Sequence, residues 1–331
     1  MVWLYIFYMM FRVKVLGHGQ PSPIPSNVLD PTASPFIHNH ERKHEITQDL
    51  DFVGKNHWSY SYMDTCDLRE FPLHDDPDMF CTRYVMDYMW VNVEVLATDP
   101  ILLVFHKFYS EKNAHAFREY INQKEMDLQK VVDQDDPSGA AGHTSRRANG
   151  TWMEHYENEI TSTLFDFAQR RLPSLNLHGA EQWHALSYQQ GGHYAPHHDF
   201  LYYTNETQWD WWMNEMGNRL ATFLAVLETA DEGGGTIFPQ LPYVVHPEVG
   251  DVMLWLNMDV TDHSIAKSLH GACPILKGQK TAATLWIRIR DSRLSFLTDL
   301  TEPQYNLKQL IDPRGVPAIP SQKPKAKQPQ E

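Results

Sequence analysis

After Pro173 the sequence is broken into apolar runs of strand length: WHALSYQ, HYAPHHDF, RLATFLAVLE, GGTIFP, DVMLWLN and KTAATLWIRIR. Gly, Pro or Asn clusters separate them. Such runs are short for core helices, and the turn residues between them stop a helix from continuing. The pattern predicts an all-β barrel or sandwich of roughly 110 residues. Upstream, TWMEHYENEITSTLFDFAQRRL carries Trp152, Tyr156, Ile160, Leu164, Phe167, Ala168 and Leu172 at helical offsets, predicting one amphipathic helix. Between residues 85 and 130 a strand-like WVNVEVLA precedes a helical pattern through FREYINQKEMDLQKVV, and Asp133 to Gly150 reads as a loop. The fold class is therefore mainly β with flanking α.

A chain of 331 residues with 42% hydrophobic and 12% aromatic content can bury a sizeable core. Its formal charge of −14 argues against nucleic acid as a partner, because phosphate backbones select Lys/Arg-rich surfaces. The opening MVWLYIFYMMF is too short to span a bilayer and resembles a signal-peptide core, although Arg12 and Lys14 follow the run. The sequons at Asn149 and Asn205 fit a secretory route and mark both as glycosylation candidates. No other stretch reads as a membrane span, and the C-terminal QKPKAKQPQE carries no KDEL-type signal. The expected location is the endoplasmic reticulum lumen or the exterior of the cell. Residues 17 to 50 and the segment after Pro313 read as flexible.

GGHYAPHHDF holds three histidines and an aspartate. On an extended strand, residues i and i+2 share a face, so His197 and Asp199 offer an imidazole and a carboxylate side by side. His198 points the other way, and His193 lies about 13 Å back along a strand. In a chain with 18 histidines, a lone His-x-Asp can be accidental. His270, which lies 71 residues after Asp199, completes two imidazoles and one carboxylate, a set that suits non-haem Fe(II). In the strand that begins at Lys280, alternation puts Lys280, Ala282, Thr284, Trp286 and Arg288 on one face. Ala283, Leu285 and Ile287 fall on the other. The first face suits a pocket wall. Lys280 is then either an exposed strand start or a buried cation that needs an anion. His193, His198, His246 and His263 read as hydrogen-bonded or exposed, Asp251 as a turn residue, and WDWWM as a loop over the groove or the barrel rim. Cys66 and Cys81, 15 residues apart, read as a disulfide or as two thiols.

Taken together, HYAPHHDF, GGGTIFPQL, GDVMLWLN, SLHGACPILKGQK and LWIR resemble the catalytic region of procollagen-type prolyl 4-hydroxylase alpha subunits, which are iron- and 2-oxoglutarate-dependent dioxygenases. The resemblance runs in order from about Trp152 to Arg290, and more loosely back to Cys66. It implies a double-stranded β-helix, the jelly-roll barrel, supported by helices. It makes His197, Asp199 and His270 the ligands of Fe(II). It assigns Lys280 and Tyr188 to the distal carboxylate of 2-oxoglutarate, and Tyr194, Trp286 and Arg219 to the substrate. It pairs Cys66 with Cys81 and leaves Cys273 without a following partner. The implied reaction is hydroxylation of peptidyl proline to 4-hydroxyproline in collagen-like polypeptides. O2 is consumed, 2-oxoglutarate is converted to succinate and CO2, and ascorbate maintains the iron.

The domain reading that follows is a signal peptide over 1–19, a flexible leader over 20–50 and a supporting segment with the disulfide over 51–150. The dioxygenase domain occupies 151–292, and an extension with a disordered tail occupies 293–331. The family's alpha subunits carry a longer N-terminal region for dimerisation and peptide binding. Here a short leader stands in its place, so tetramer assembly is not carried over, and a protein disulfide isomerase partner rests on the resemblance alone. Two alternatives remain: another 2-oxoglutarate oxygenase, such as a lysyl hydroxylase, and a non-catalytic collagen-binding paralogue. Families with arginine at the Lys280 position are disfavoured, and the intact ligand set disfavours the paralogue.

Overall fold

The structure is a computed structural model that describes residues 51–67, 79–129, 142–241, 243–290, 292, 297–298, 304–317 and 319. The signal-peptide and leader readings lie outside the described residues, as does the end of the tail. Among the described residues no helix is long and apolar enough to cross a membrane.

Two sheets carry the molecule. The larger has nine strands in the order β1 (Phe80–Met86), β2 (Met89–Thr98), β3 (Ile101–His106), β13 (Val252–Leu256), β9 (Arg219–Glu228), β16 (Lys280–Arg288), β7 (Trp183–Tyr188), β6 (Asn149–Met153) and β4 (Asp127–Leu128). The smaller runs β12 (Tyr243–Val245), β11 (Thr236–Phe238), β14 (His270–Ala272), β8 (His193–His197) and β5 (Arg146–Arg147). A separate pair joins β10 (Glu232–Gly233) to β15 (Ile275–Lys277). From β7 onward the chain crosses between the sheets: β7 large, β8 small, β9 large, β11 and β12 small, β13 large, β14 small, β16 large. From β7 onward most paired strands, such as β16 with β7 and β14 with β8, are far apart in sequence, which is the winding of a double-stranded β-helix, or jelly roll. All recorded pairings are antiparallel.

Strand alternation gives the large sheet two different faces. Phe223, Ala225, Leu254, Ala283, Leu285 and Ile287 belong to the main core. Helices α2 (Glu111–Asn122) and α4 (Glu159–Arg171) add Ala114, Phe117, Ile121, Leu164, Phe165 and Ala168 to that core. The other face carries Leu186, Tyr188, Thr222, Leu224, Trp255, Lys280, Ala282, Thr284 and Trp286, which line a cavity shared with the small sheet. The alternation read from KTAATLWIRIR therefore separates core from cavity as expected.

The two predicted helices are placed differently. Asn158 starts α4, its side chain accepting from the Ile160 amide at 2.8 Å while Thr161 closes a capping box. Trp152 lies ahead of that cap, on β6 opposite His184. Cross-strand pairing with β7 has overridden the helical period there. Helix α2 begins at the Ser110 cap and ends at Asn122, so the pattern through FREYINQKEMDLQKVV runs past it into β4. The expected loop before Gly150 contains, in its described part, α3 (Gly142–Ser145), β5 and the start of β6. Likewise, WDWWM leads into the short helix α5 (Trp211–Met216), capped by Asp210.

The expected Cys66–Cys81 bridge is corrected by the structure. Cys66 ends α1 (Tyr60–Cys66) and is bonded to Cys273, with Cα atoms 5.8 Å apart and 207 residues between them. Helix α1 packs over the small sheet, where Trp58, Met63 and Cys66 meet Ala195, Ile237 and Val244. Cys81 sits instead on β1, at the edge of the large sheet. Proximity in sequence was outweighed by docking of α1 against β11 and β12.

Candidate metal and keto-acid site

Strands β8 and β14 pair in the small sheet, with His197 directly opposite His270. Asp199 follows two residues after His197, beyond the end of β8, so the carboxylate comes from the turn and not from the strand itself. Ligand atoms of all three residues lie within 4.8 Å of one another. The His197 Nε2 is 3.7 Å from Asp199 Oδ1, and the His270 Nε2 is 3.4 Å from Asp199 Oδ2.

The backbone sets the tautomers. His197 Nδ1 faces the Ala195 carbonyl at 2.9 Å, and His270 Nδ1 faces the Ser268 carbonyl at 2.9 Å. A carbonyl only accepts, so each Nδ1 carries the hydrogen and each Nε2 turns a lone pair toward the carboxylate. His197 is held further by Tyr194, stacked at 3.5 Å, and His270 by Trp255, edge-on at 4.6 Å. Burial pushes His270 down to about 4, so its imidazole is neutral and able to ligate near neutral pH. For Asp199, burial opposes ionisation, but the cationic surroundings, the Arg219 guanidinium among them, outweigh it and hold the carboxyl below the usual range. Two imidazoles and one buried carboxylate fit a divalent iron and leave positions open to other ligands.

On the far side of the cavity, Lys280 is 4% exposed. Its Nζ donates to the Gly234 carbonyl at 2.8 Å and to Thr236 Oγ1 at 3.1 Å. Among the described residues no carboxylate forms a salt bridge with it. Burial pushes its ammonium down to about 8. An ammonium has three N–H donors, so one remains for an anion. The reading of Lys280 as an exposed strand start is thereby overturned. Tyr188 is its cross-strand partner and lines the same cavity, where burial raises its hydroxyl above the ordinary value.

Of the residues assigned to substrate, Tyr194 and Trp286 line the same cavity. The Arg219 guanidinium lies 3.8 Å over the Trp286 ring and makes a two-pronged contact with Glu181, at 2.6 and 2.8 Å. Trp152 stacks on His184 at 4.1 Å and stands 5.8 Å from Trp286.

Other conspicuous residues fall outside the cluster. His193 is buried, with Nε2 at 3.0 Å from the Thr144 carbonyl and its ring against Phe52 and Trp58. His198 approaches Ser268 Oγ at 3.4 Å, while His246 and His263 are exposed. Asp251 accepts from the Lys107 and Glu248 amides, as a turn residue would. Asn149 and Asn205 are both exposed. Three residues around the site escaped the sequence reading: Glu181, Thr222 and Asn257. Thr222 had a signal, a hydroxyl in the middle of the apolar run RLATFLAVLE. The other two had none that spacing reveals.

Residues 183–288 match the model of the 2OG-Fe(II) oxygenase superfamily. Prolyl 4-hydroxylase subunit alpha-2 of Caenorhabditis elegans is 28% identical over 201 residues, which is 60% of this chain and 36% of its own length. Probable prolyl 4-hydroxylase 7 of Arabidopsis thaliana is 27% identical over 226 residues, covering 62% of this chain and 68% of its own. The viral collagen prolyl hydroxylase of Paramecium Bursaria Chlorella virus-1, solved with 2OG, is 20% identical with a TM-score of 0.41, covering 56% of this chain and 95% of its own. This chain spans about a third of the length of the curated alpha subunits it matches. Residues 183–288 are thus similar to the catalytic region of prolyl 4-hydroxylases.

Proposed function

We propose that this region hydroxylates peptidyl proline at C4 in a collagen-like, proline-rich polypeptide. The observation that carries the reading is the pairing, in one cavity, of the His197–Asp199–His270 cluster with a buried lysine whose partners among the described residues are a carbonyl and a hydroxyl. Bound Fe(II), with O2 and 2-oxoglutarate, supplies the oxidising chemistry, in which the keto acid leaves as succinate and CO2. The protein's own residues bind and orient. His197, Asp199 and His270 hold the metal. Lys280 and Tyr188 receive the far carboxylate of the keto acid. Tyr194 and Trp286 offer aromatic faces to a proline ring, which is apolar and has no N–H. Arg219 lies over the Trp286 ring and, paired with Glu181, helps to fix it. The walls of both sheets keep water from the reacting centre.

The substrate class follows from similarity to prolyl 4-hydroxylases and from the aromatic lining. A disulfide between Cys66 and Cys273 supports residence in an oxidising compartment, the endoplasmic reticulum lumen or the exterior, with Asn149 and Asn205 available for glycosylation. Ascorbate would sustain turnover by keeping the iron ferrous.

The test is incubation of the purified protein with Fe(II), 2-oxoglutarate, ascorbate and a (Pro-Pro-Gly)n peptide. Formation of 4-hydroxyproline, read by mass, is the expected result. Succinate without hydroxyproline would redirect the reading to another substrate, such as lysine. Full activity in His270→Ala would remove the metal assignment.

A further inference from the structure

We infer that Thr222 and Asn257 form a two-step hydrogen-bond relay that fixes the plane of the Asp199 carboxylate, and that both are positioning residues for the metal. The inference rests on the ferrous reading of the cluster. Thr222 lies on β9 and lines the cavity, 1% exposed. Its Oγ1 is 2.6 Å from Asp199 Oδ2. Asn257 directly follows β13 and is fully buried, with Nδ2 at 2.8 Å from the same Thr222 Oγ1.

The direction of each bond follows from valence. An ionised carboxylate has no hydrogen to give, so the Thr222 hydroxyl donates to Asp199. Having spent its single hydrogen there, Thr222 Oγ1 accepts from Asn257, which therefore turns its NH2 and not its carbonyl toward the threonine. The backbone of Asn257 is pinned at both groups: its N–H donates to the Leu220 carbonyl at 2.9 Å, and its C=O accepts from the Ile265 amide at 3.0 Å. The relay thus runs from fixed backbone through an amide and a hydroxyl to the ligand.

Asn257 is costly to keep. Its Oδ1 is buried and has no hydrogen-bond partner among the described residues. A half-satisfied buried amide destabilises a fold relative to an apolar residue of the same shape. Its one satisfied group is the one aimed at Thr222, which points to a task at the site over a task in the core. The stakes at Asp199 are high, because it comes from the turn after β8 and has no strand ladder of its own to orient it. Outer partners of metal-bound carboxylates typically govern affinity by about 10–100-fold.

The experiment uses the full chain and Co(II) alone, followed by its visible ligand-field band. Thr222→Val keeps the shape and deletes the hydroxyl, and its Co(II) Kd is expected to rise about 10–100-fold. Thr222→Ser keeps the hydroxyl and should retain wild-type affinity. Asn257→Asp replaces the donor with an acceptor, competes for the Thr222 hydrogen and should weaken Co(II) as Thr222→Val does. If Thr222→Val does not fold, Thr222→Ser and Asn257→Asp carry the comparison. Wild-type affinity and an unaltered band in folded Thr222→Val or Asn257→Asp would overturn the relay and leave the ferrous reading standing. A wild-type protein that shows no Co(II) band would overturn both.

Discussion

Lys280 and Tyr188 face each other across the β16–β7 pair, both on the cavity side of the large sheet. Among the described residues the lysine's ammonium is met by a carbonyl and a hydroxyl. A buried cation in that state is stabilised by any anion that reaches it.

Lys280→Ala is therefore expected to weaken 2-oxoglutarate strongly while sparing the metal. Truncating one partner of a buried charge pair costs about 3 kcal/mol, or ~10²-fold in affinity. Calorimetric titration of 2-oxoglutarate into the Mn(II)-loaded protein measures it. An unchanged affinity would mean that the carboxylate binds elsewhere.

Glu181 is the anion that Arg219 and Arg288 share. The Arg288 Nε and NH2 groups reach it at 2.8 and 2.7 Å, and the Arg219 Nε at 2.6 Å. Glu181→Gln keeps the shape and removes the charge, leaving the buried Arg288 and the half-buried Arg219 guanidiniums with a neutral partner. The expected loss is about 3–5 kcal/mol of stability. It is read from denaturant unfolding of the wild type and the variant, and a difference too small to resolve would refute it.

Stability should peak between two pH limbs set by different histidines. Burial pushes His155 down to about 4, against the opposing Glu181 carbonyl. Burial, with the Arg146 and Arg219 charges, pushes His184 down to about 3. Below the ordinary value of 6.5, the unfolded chain takes up protons that these native rings refuse, so stability falls on acidification. His106 has the opposite sign. Burial would lower it, but hydrogen bonds to Asp251 and Glu94 raise it to about 9. Its contribution is fully present below 6.5 and is lost as pH rises through 9. Each group contributes up to about 1.4 kcal/mol per pH unit on its limb. Urea midpoints across pH test both limbs. His106→Asn should flatten only the alkaline one, and His184→Gln should soften only the acid one.

Non-reducing peptide mapping should join the Cys66 and Cys273 peptides. The loop they close spans most of the folded chain, so by the chain-entropy model Cys66→Ser removes about 5 kcal/mol. Cys81→Ser should leave the cross-link in place. A mapped Cys66–Cys81 peptide would contradict the structure.

Much of the site was legible in the sequence because its parts obey local rules. Strand alternation is a property of the backbone, so KTAATLWIRIR alone separated Lys280, Thr284 and Trp286 from Ala283, Leu285 and Ile287. The grouping of His197, Asp199 and His270, with Lys280 ten residues on, was expected from residue type, order and a family resemblance, and the structure brings the three together. What the sequence could not decide was which distant groups meet. Cys66 chose Cys273 over the nearer Cys81 because α1 docks on the small sheet. Trp152 left its apparent helix because β6 pairs with β7. Thr222, Asn257 and Glu181 acquired roles only when β9, β13 and β7 were laid side by side with the turn after β8. Such choices are settled by the sum of many weak contacts over the whole chain, and no window of neighbouring residues contains that sum.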